Sequence, residues 1–125
     1  MKAFLTVTAV FEGATGLILL LVPSVVVSVL LGAALNEPGE VIARLAGVAL
    51  LTLSIVCWSY RGETQNISGI SKSLLFYNIV AGSLLIYTYI SGFSGMGLWP
   101  AAILHFVLGI WCLQLFRKQL RHDRP

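Results

Sequence analysis

A chain of 125 residues that is 58% hydrophobic and only 10% charged lies far from soluble domains, which carry about 25% charged residues. Its net charge of +3 does not mark a nucleic-acid partner, because the basic residues sit between and beyond apolar runs and form no patch on a water-soluble face. Cys57 and Cys112 both lie inside apolar runs with no C-x-x-C pair, so they read as small buried hydrophobes rather than a redox couple.

The apolar residues fall into four runs of about 20, the length that crosses about 30 Å of hydrocarbon. The predicted fold is all-α: one four-helix transmembrane domain over 1–125, with a short interfacial helix after the first span. Segment one covers about 4–22. Met1-Lys2 ahead of it and Gly32-Ala33-Ala34 after it resemble a signal peptide and its cleavage site, but the run is too long for one and Glu12 interrupts it, so it reads as a retained span. Pro23 breaks the run, since proline has no backbone N–H to give a helix. Residues 24–32 either extend a kinked helix or form a short helix in the interface, with Pro23 in its first turn and Gly32 at its end. Asn36 to Glu40 (NEPGE) reads as a polar turn. Segment two covers about 41–60, segment three 70–90 and segment four 98–116. The loop 61–69 is the longest polar stretch, 91–97 is a glycine-rich connection, and 117–125 is a basic, solvated tail.

Lysine and arginine set orientation. Lys2, Arg61, Lys72, Arg117, Lys118, Arg121 and Arg124 fall on one side, and only Arg44 falls toward the other. That predicts a multi-pass protein of the plasma (inner) membrane with both termini cytoplasmic. The sequon Asn66-Ile67-Ser68 then faces the compartment without glycosylation.

Each predicted span carries one strongly polar group on a stripe that also holds small residues, and small residues mark helix–helix seams in membranes. Glu12 shares a face with Ala9, Gly13 and Gly16. Arg44 shares one with Gly47, Leu51, Ser54 and Trp58. Asn78 aligns with Ser71, Ala81, Gly82 and Tyr89, and His105 with Ala101, Gly109 and Cys112. A carboxylate in the middle of a span costs about 2.5–3.5 kcal/mol on insertion scales, so Glu12 needs a partner inside the protein. The expectation is a buried polar cluster of Glu12, Arg44, Asn78 and His105. Glu12 pairs there with Arg44 or His105, and Asn78 is a further hydrogen-bond partner. Such a cluster acts either as a clamp that fixes helix pairing or as a proton-titrating or ligand-binding site. Trp58, Tyr60, Tyr87, Tyr89, Trp99 and Trp111 read as an interfacial aromatic belt. Trp58 and Tyr89 could alternatively line a cavity for a flat ligand.

A first helix with Glu-x-x-x-Gly running into proline (Glu12, Gly16, Pro23), a short apolar helix ending in Leu31-Gly32, and Arg-x-x-Gly opening helix two (Arg44, Gly47) resembles the DoxX-like small four-helix membrane proteins. The resemblance implies a fold and a membrane location. Some members are linked to quinone-dependent sulfur oxidation, which implies a quinone- or lipid-linked oxidoreductase as one function; no catalytic residue is carried over. The length and the single early membrane glutamate are also similar to small multidrug resistance transporters. That similarity implies proton-coupled transport through Glu12, although the helix-three aromatic and glycine pattern of those transporters is missing. The sequence contains no metal cluster, nucleotide loop or catalytic triad. The first expectation is therefore a non-catalytic accessory or scaffold component. Its partners would be the bilayer and other membrane subunits or a second copy, and it would have no metal and no cofactor beyond the quinone that the resemblance brings.

Overall fold

The structure, a computed structural model, describes residues 1–63 and 68–122. Its elements are α1 (Lys2–Leu21), α2 (Pro23–Leu31), α3 (Glu37–Tyr60), α4 (Ser68–Ile90) and α5 (Leu98–His122). Among the described residues every regular element is a helix, as the composition predicts. Helices α1, α3 and α4, and α5 over Leu98–Gln119, are each long and apolar enough to cross a bilayer. Large apolar side chains such as Val41, Ile42, Leu45, Phe76 and Ile90 point outward and stay exposed. A water-soluble monomer does not leave so much apolar surface uncovered. The chain is a small membrane protein.

Two boundaries differ from expectation, each for a local reason. The NEPGE segment is not a turn ahead of the second span but the start of α3. Asn36 caps it, its Oδ1 accepting from Gly39 N–H at 2.8 Å, and Pro38 sits in the first turn, where a missing N–H leaves no bond unmade. Glu37 and Glu40 lie in that same turn, where the helix dipole favours negative charge. At the other end of the chain, α5 runs on to His122, so the first residues of the basic tail are helical. The short helix expected after the first span is present as α2, separate from α1. Val22 leaves helical geometry (φ −139°, ψ 63°), Pro23 opens α2, and Gly32 closes it in the left-handed conformation (φ 67°). The sequon's Asn66 and Ile67 lie outside the described residues.

The spans associate as two pairs. Helix α1 packs along α3 and α4 along α5, while across the pairs the backbones approach far less, chiefly between α1 and α5. Gly16 and Gly47 explain the first pair. A Cβ on Gly16 would stand 2.8 Å from the Gly47 carbonyl oxygen, and a Cβ on Gly47 would stand 2.7 Å from the Gly16 carbonyl oxygen. The two backbones therefore touch, and only glycine permits it. Just below, Ser54 Oγ donates to the Ala9 carbonyl at 2.7 Å. The buried line of α3 runs through Ala43, Gly47 and Cys57. It is rotated slightly from the stripe read in the sequence, so Arg44 and Trp58 flank the seam instead of lying in it. In the second pair Gly82 faces the Phe106 ring.

Toward the start of α1 all four spans contribute to a filled core of Phe4, Leu5, Ala9, Cys57, Leu74, Leu108 and Cys112. Both cysteines are free and fully buried there, and the Cys112 thiol donates to the Ser71 carbonyl. Toward α2 the pairs diverge, and α2 sits across that end. The 91–97 connection is pinned to α2: Gly97 N–H donates to the Val29 carbonyl at 2.8 Å, and Gly95 lies against the Leu30 carbonyl with no room for a side chain.

Candidate functional site

Where the pairs diverge they enclose a cleft of about 540 Å³. One wall is the α1 face of Phe11, Glu12, Thr15, Ile18 and Leu19. The opposite wall comes from Tyr77, Ala81, Leu84 and Leu85 on α4 with Ala101, Leu104 and His105 on α5, and α2 closes the end with Val25 to Leu31. The lining is overwhelmingly aliphatic. Its strongly polar groups, Glu12, Tyr77 and His105, gather at the deep end, against the filled core. Glu12 lies near the centre of α1, so this floor lies near mid-membrane.

Glu12 is only 5% exposed. Its Oε2 accepts from the Tyr77 hydroxyl at 3.0 Å, a bond that spans the two helix pairs. This differs from the expected partner. His105 does not bond to Glu12; its Nδ1 lies 3.1 Å from Asn78 Oδ1. Its ring stands edge-on to that of Tyr77, 5.4 Å between centroids. Asn78 is fully buried behind the histidine. The connected order is Glu12, Tyr77, His105, Asn78, with tyrosine in the middle.

Arg44 takes no part. It lies on the outer flank of α3, where its guanidinium meets Glu40, one turn earlier, at 3.6 Å and donates to the Leu20 carbonyl at 3.3 Å. Both contacts have clear causes. A Glu and an Arg four residues apart share a helix face, and Leu20 belongs to the last turn of α1, whose carbonyls have no helical partner. Glu12 lies two turns further down, about 12 Å along the axis, beyond an arginine already held at the helix end.

The hydrogen bonds determine what the floor can still do. Asn78 Nδ2 donates to the Leu74 carbonyl at 2.8 Å, which turns Oδ1 toward the imidazole. An amide oxygen only accepts, so this pattern assigns the ring proton to Nδ1 and leaves Nε2 of the neutral ring as an acceptor. The Tyr77 proton is committed to Glu12, leaving a lone pair on that oxygen. Glu12 keeps Oε1 free. With Glu12 ionised, the groups left over for a guest are all acceptors; a protonated Glu12 offers one donor at Oε1.

Two neighbouring features complete the site. Thr8, one turn before Glu12 on the same helix, is fully buried with no hydrogen-bond partner for Oγ1; nothing in the structure explains it. Trp58 and Tyr89 do not line the cleft: Arg61 stacks on Trp58 at 3.6 Å and Tyr89 packs against Trp99 at 5.1 Å. Among the described residues no three His, Cys, Asp or Glu side chains converge as a metal-binding group.

Sequence reading picked out Glu12, Asn78 and His105 because each is a strongly polar residue within an apolar run. It missed Tyr77, which in such a run reads as one more aromatic. The available signal was its position: Tyr77 directly precedes Asn78 and lies away from both helix ends, where belt tyrosines are found. Compared with models of known protein families, with curated proteins and with solved structures, the chain matches none.

Proposed function

We propose that this small membrane protein holds a lipid-soluble amphipathic molecule in the cleft between its helix pairs, with the polar head of the guest at Glu12, Tyr77 and His105 and its apolar part along α2. The observation that carries this reading is the cleft itself. About 540 Å³ of mainly aliphatic lining with a few converging polar groups at one end is the usual form of a small-molecule site. Clamping helices needs no such space. The reading keeps the protein non-catalytic, as a holder of a membrane-soluble compound that can serve as an accessory to other membrane proteins.

With Glu12 ionised, the free acceptors select the head: it must bring hydrogen-bond donors. A hydroxyl or an ammonium group satisfies them, and an ammonium also supplies the positive charge that an ionised Glu12 lacks within the protein, since buried charges need pairing. The same rule bears on the quinone that the DoxX-like resemblance implies. An oxidised quinone offers only carbonyl acceptors to a floor of acceptors, whereas a quinol offers two hydroxyls, which Glu12 and His105 would receive. A bound quinol would supply two electrons and two protons to a partner.

The test is binding of dodecylamine, dodecanol and dodecanoate to the purified protein in detergent, compared with Ala81→Phe, which fills the cleft one turn above Tyr77. The amine and the alcohol should bind the native protein more tightly than the carboxylate, and Ala81→Phe should abolish binding. If none of the three binds, or if Ala81→Phe binds them as well as the native protein does, the cleft is not a ligand site.

A further inference from the structure

A second cavity lies at the opposite end of the molecule. An open cavity of about 480 Å³ is bordered by Lys2 at the start of α1, Arg61 and Glu63 just after α3, and Leu115 and Lys118 near the end of α5. These positions mark one level: α1 begins there, α3 has ended, and the apolar stretch of α5 runs out at Gln119. The cavity therefore sits where hydrocarbon gives way to water, at the depth of lipid phosphates.

Among the described residues, three side-chain cations from three separate segments line it together with Glu63. A bias of basic residues to one side of the membrane accounts for their presence in these segments, but it does not require them to line the same cavity, where their charges repel. Arg61 is held in place as well. It donates to the Trp58 carbonyl at 2.7 Å, and its guanidinium lies flat over the Trp58 ring, so its position is fixed before any anion arrives. Met1 and Leu115 add aliphatic surface to the same lining, suited to the first carbons of an acyl chain.

We propose that this cavity binds the headgroup of an anionic phospholipid, with Lys2, Arg61 and Lys118 around the phosphate. Basic pockets between spans at the membrane surface recognise such headgroups, and the volume suits a headgroup rather than a whole lipid. The site is independent of the cleft, from which the filled core separates it.

The intact protein in neutral detergent is titrated with a short-chain phosphatidylglycerol or phosphatidylcholine, and retained lipid is counted by native mass spectrometry. Phosphatidylglycerol should be retained in preference. The double variant Lys2→Gln/Lys118→Gln should weaken that retention roughly tenfold. Lys118→Arg should keep it. Lys72→Gln/Arg121→Gln removes the same charge from basic residues that do not line the cavity, and should keep it too. Equal loss in both double variants would show attraction to general surface charge and overturn the site. So would equal retention of the two lipids. Full displacement of phosphatidylglycerol by an equal concentration of inorganic phosphate would mark a free-anion site, not a lipid one.

Discussion

Toward the start of α1 the four spans close around Phe4, Leu5, Leu74 and Leu108, all of them buried. Toward α2 the same helices stand apart around about 540 Å³. Side-chain size does not explain the difference, because the hollow half is lined by Leu, Ile, Val and Phe. The explanation lies in pairing. Helix α1 is held to α3 by glycine contact at the level of the cleft, so it cannot also close on α4, and α2 lies across the end of the gap. Across the cleft the pairs are joined by the hydrogen bond from Tyr77 to Glu12. In lipid, apolar surface alone gives helices no reason to meet, so a gap between two well-made pairs can persist unless particular contacts close it.

The sharpest way to break this comparison is to truncate one leucine in each half. Leu74→Ala removes a fully buried side chain from the filled core. Leucine truncations in packed cores cost about 2–5 kcal/mol, and the lower end applies here because lipid supplies little of the transfer term. Leu85→Ala only widens an existing cleft and should cost under about 1 kcal/mol by the same reasoning. Reversible unfolding in mixed micelles measures both. Equal losses would mean that the two halves are packed alike.

Gly47→Val tests what sets the spacing. Its side chain would collide with the Gly16 carbonyl and the Leu20 amide, both backbone, and only separation of α1 from α3 relieves that. A loss of about 1–3 kcal/mol, the range for overpacking, is the expected result in the same assay. Gly62→Val makes the control, since nothing stands near a Cβ there, and should unfold with the native protein.

The strut between the pairs comes next. Tyr77→Phe keeps the ring against His105 and removes the hydroxyl. Interhelical hydrogen bonds in membranes average about 0.6 kcal/mol, with a maximum of about 1.7, so a loss of about 1 kcal/mol is expected. A cross-link between cysteines placed on α1 and α4 at the cleft should form faster in this variant if the pairs then move more freely. An unchanged rate would show that the bond does not restrain the pairs.

The fold was readable because its signals are additive. Twenty apolar residues make a span whatever surrounds them, and the boundaries that shifted, at Asn36 and after Phe116, depend on a cap and on helix propensity beyond the apolar run. The site was readable only as a set of residues. Polarity inside an apolar run singles out Glu12, Asn78 and His105, but their partners depend on helix rotation. A rotation that buries Ala43 and Cys57 turns Arg44 outward. Tyr77 escaped notice because its hydroxyl is a small part of a large apolar ring. The cleft had no signature in sequence, since it arises from which helices pair.

Arg44 supplies the smallest expected effect and the clearest distinction between two structures of the cluster. If Arg44 neutralised Glu12 inside the bundle, removing it would strand a buried carboxylate and cost about 3–5 kcal/mol. As placed, its side chain is 48% exposed and its ion pair with Glu40 runs along one helix face, an interaction worth about 0.3–0.5 kcal/mol. The bond to the Leu20 carbonyl adds little more at an exposed helix end. Arg44→Gln should therefore shift unfolding by less than about 1 kcal/mol, and the shift should shrink in high salt because exposed pairs are screened. A larger loss that salt does not touch would put the guanidinium back beside Glu12, and the divided bundle, with its cleft, would have to close around that pair.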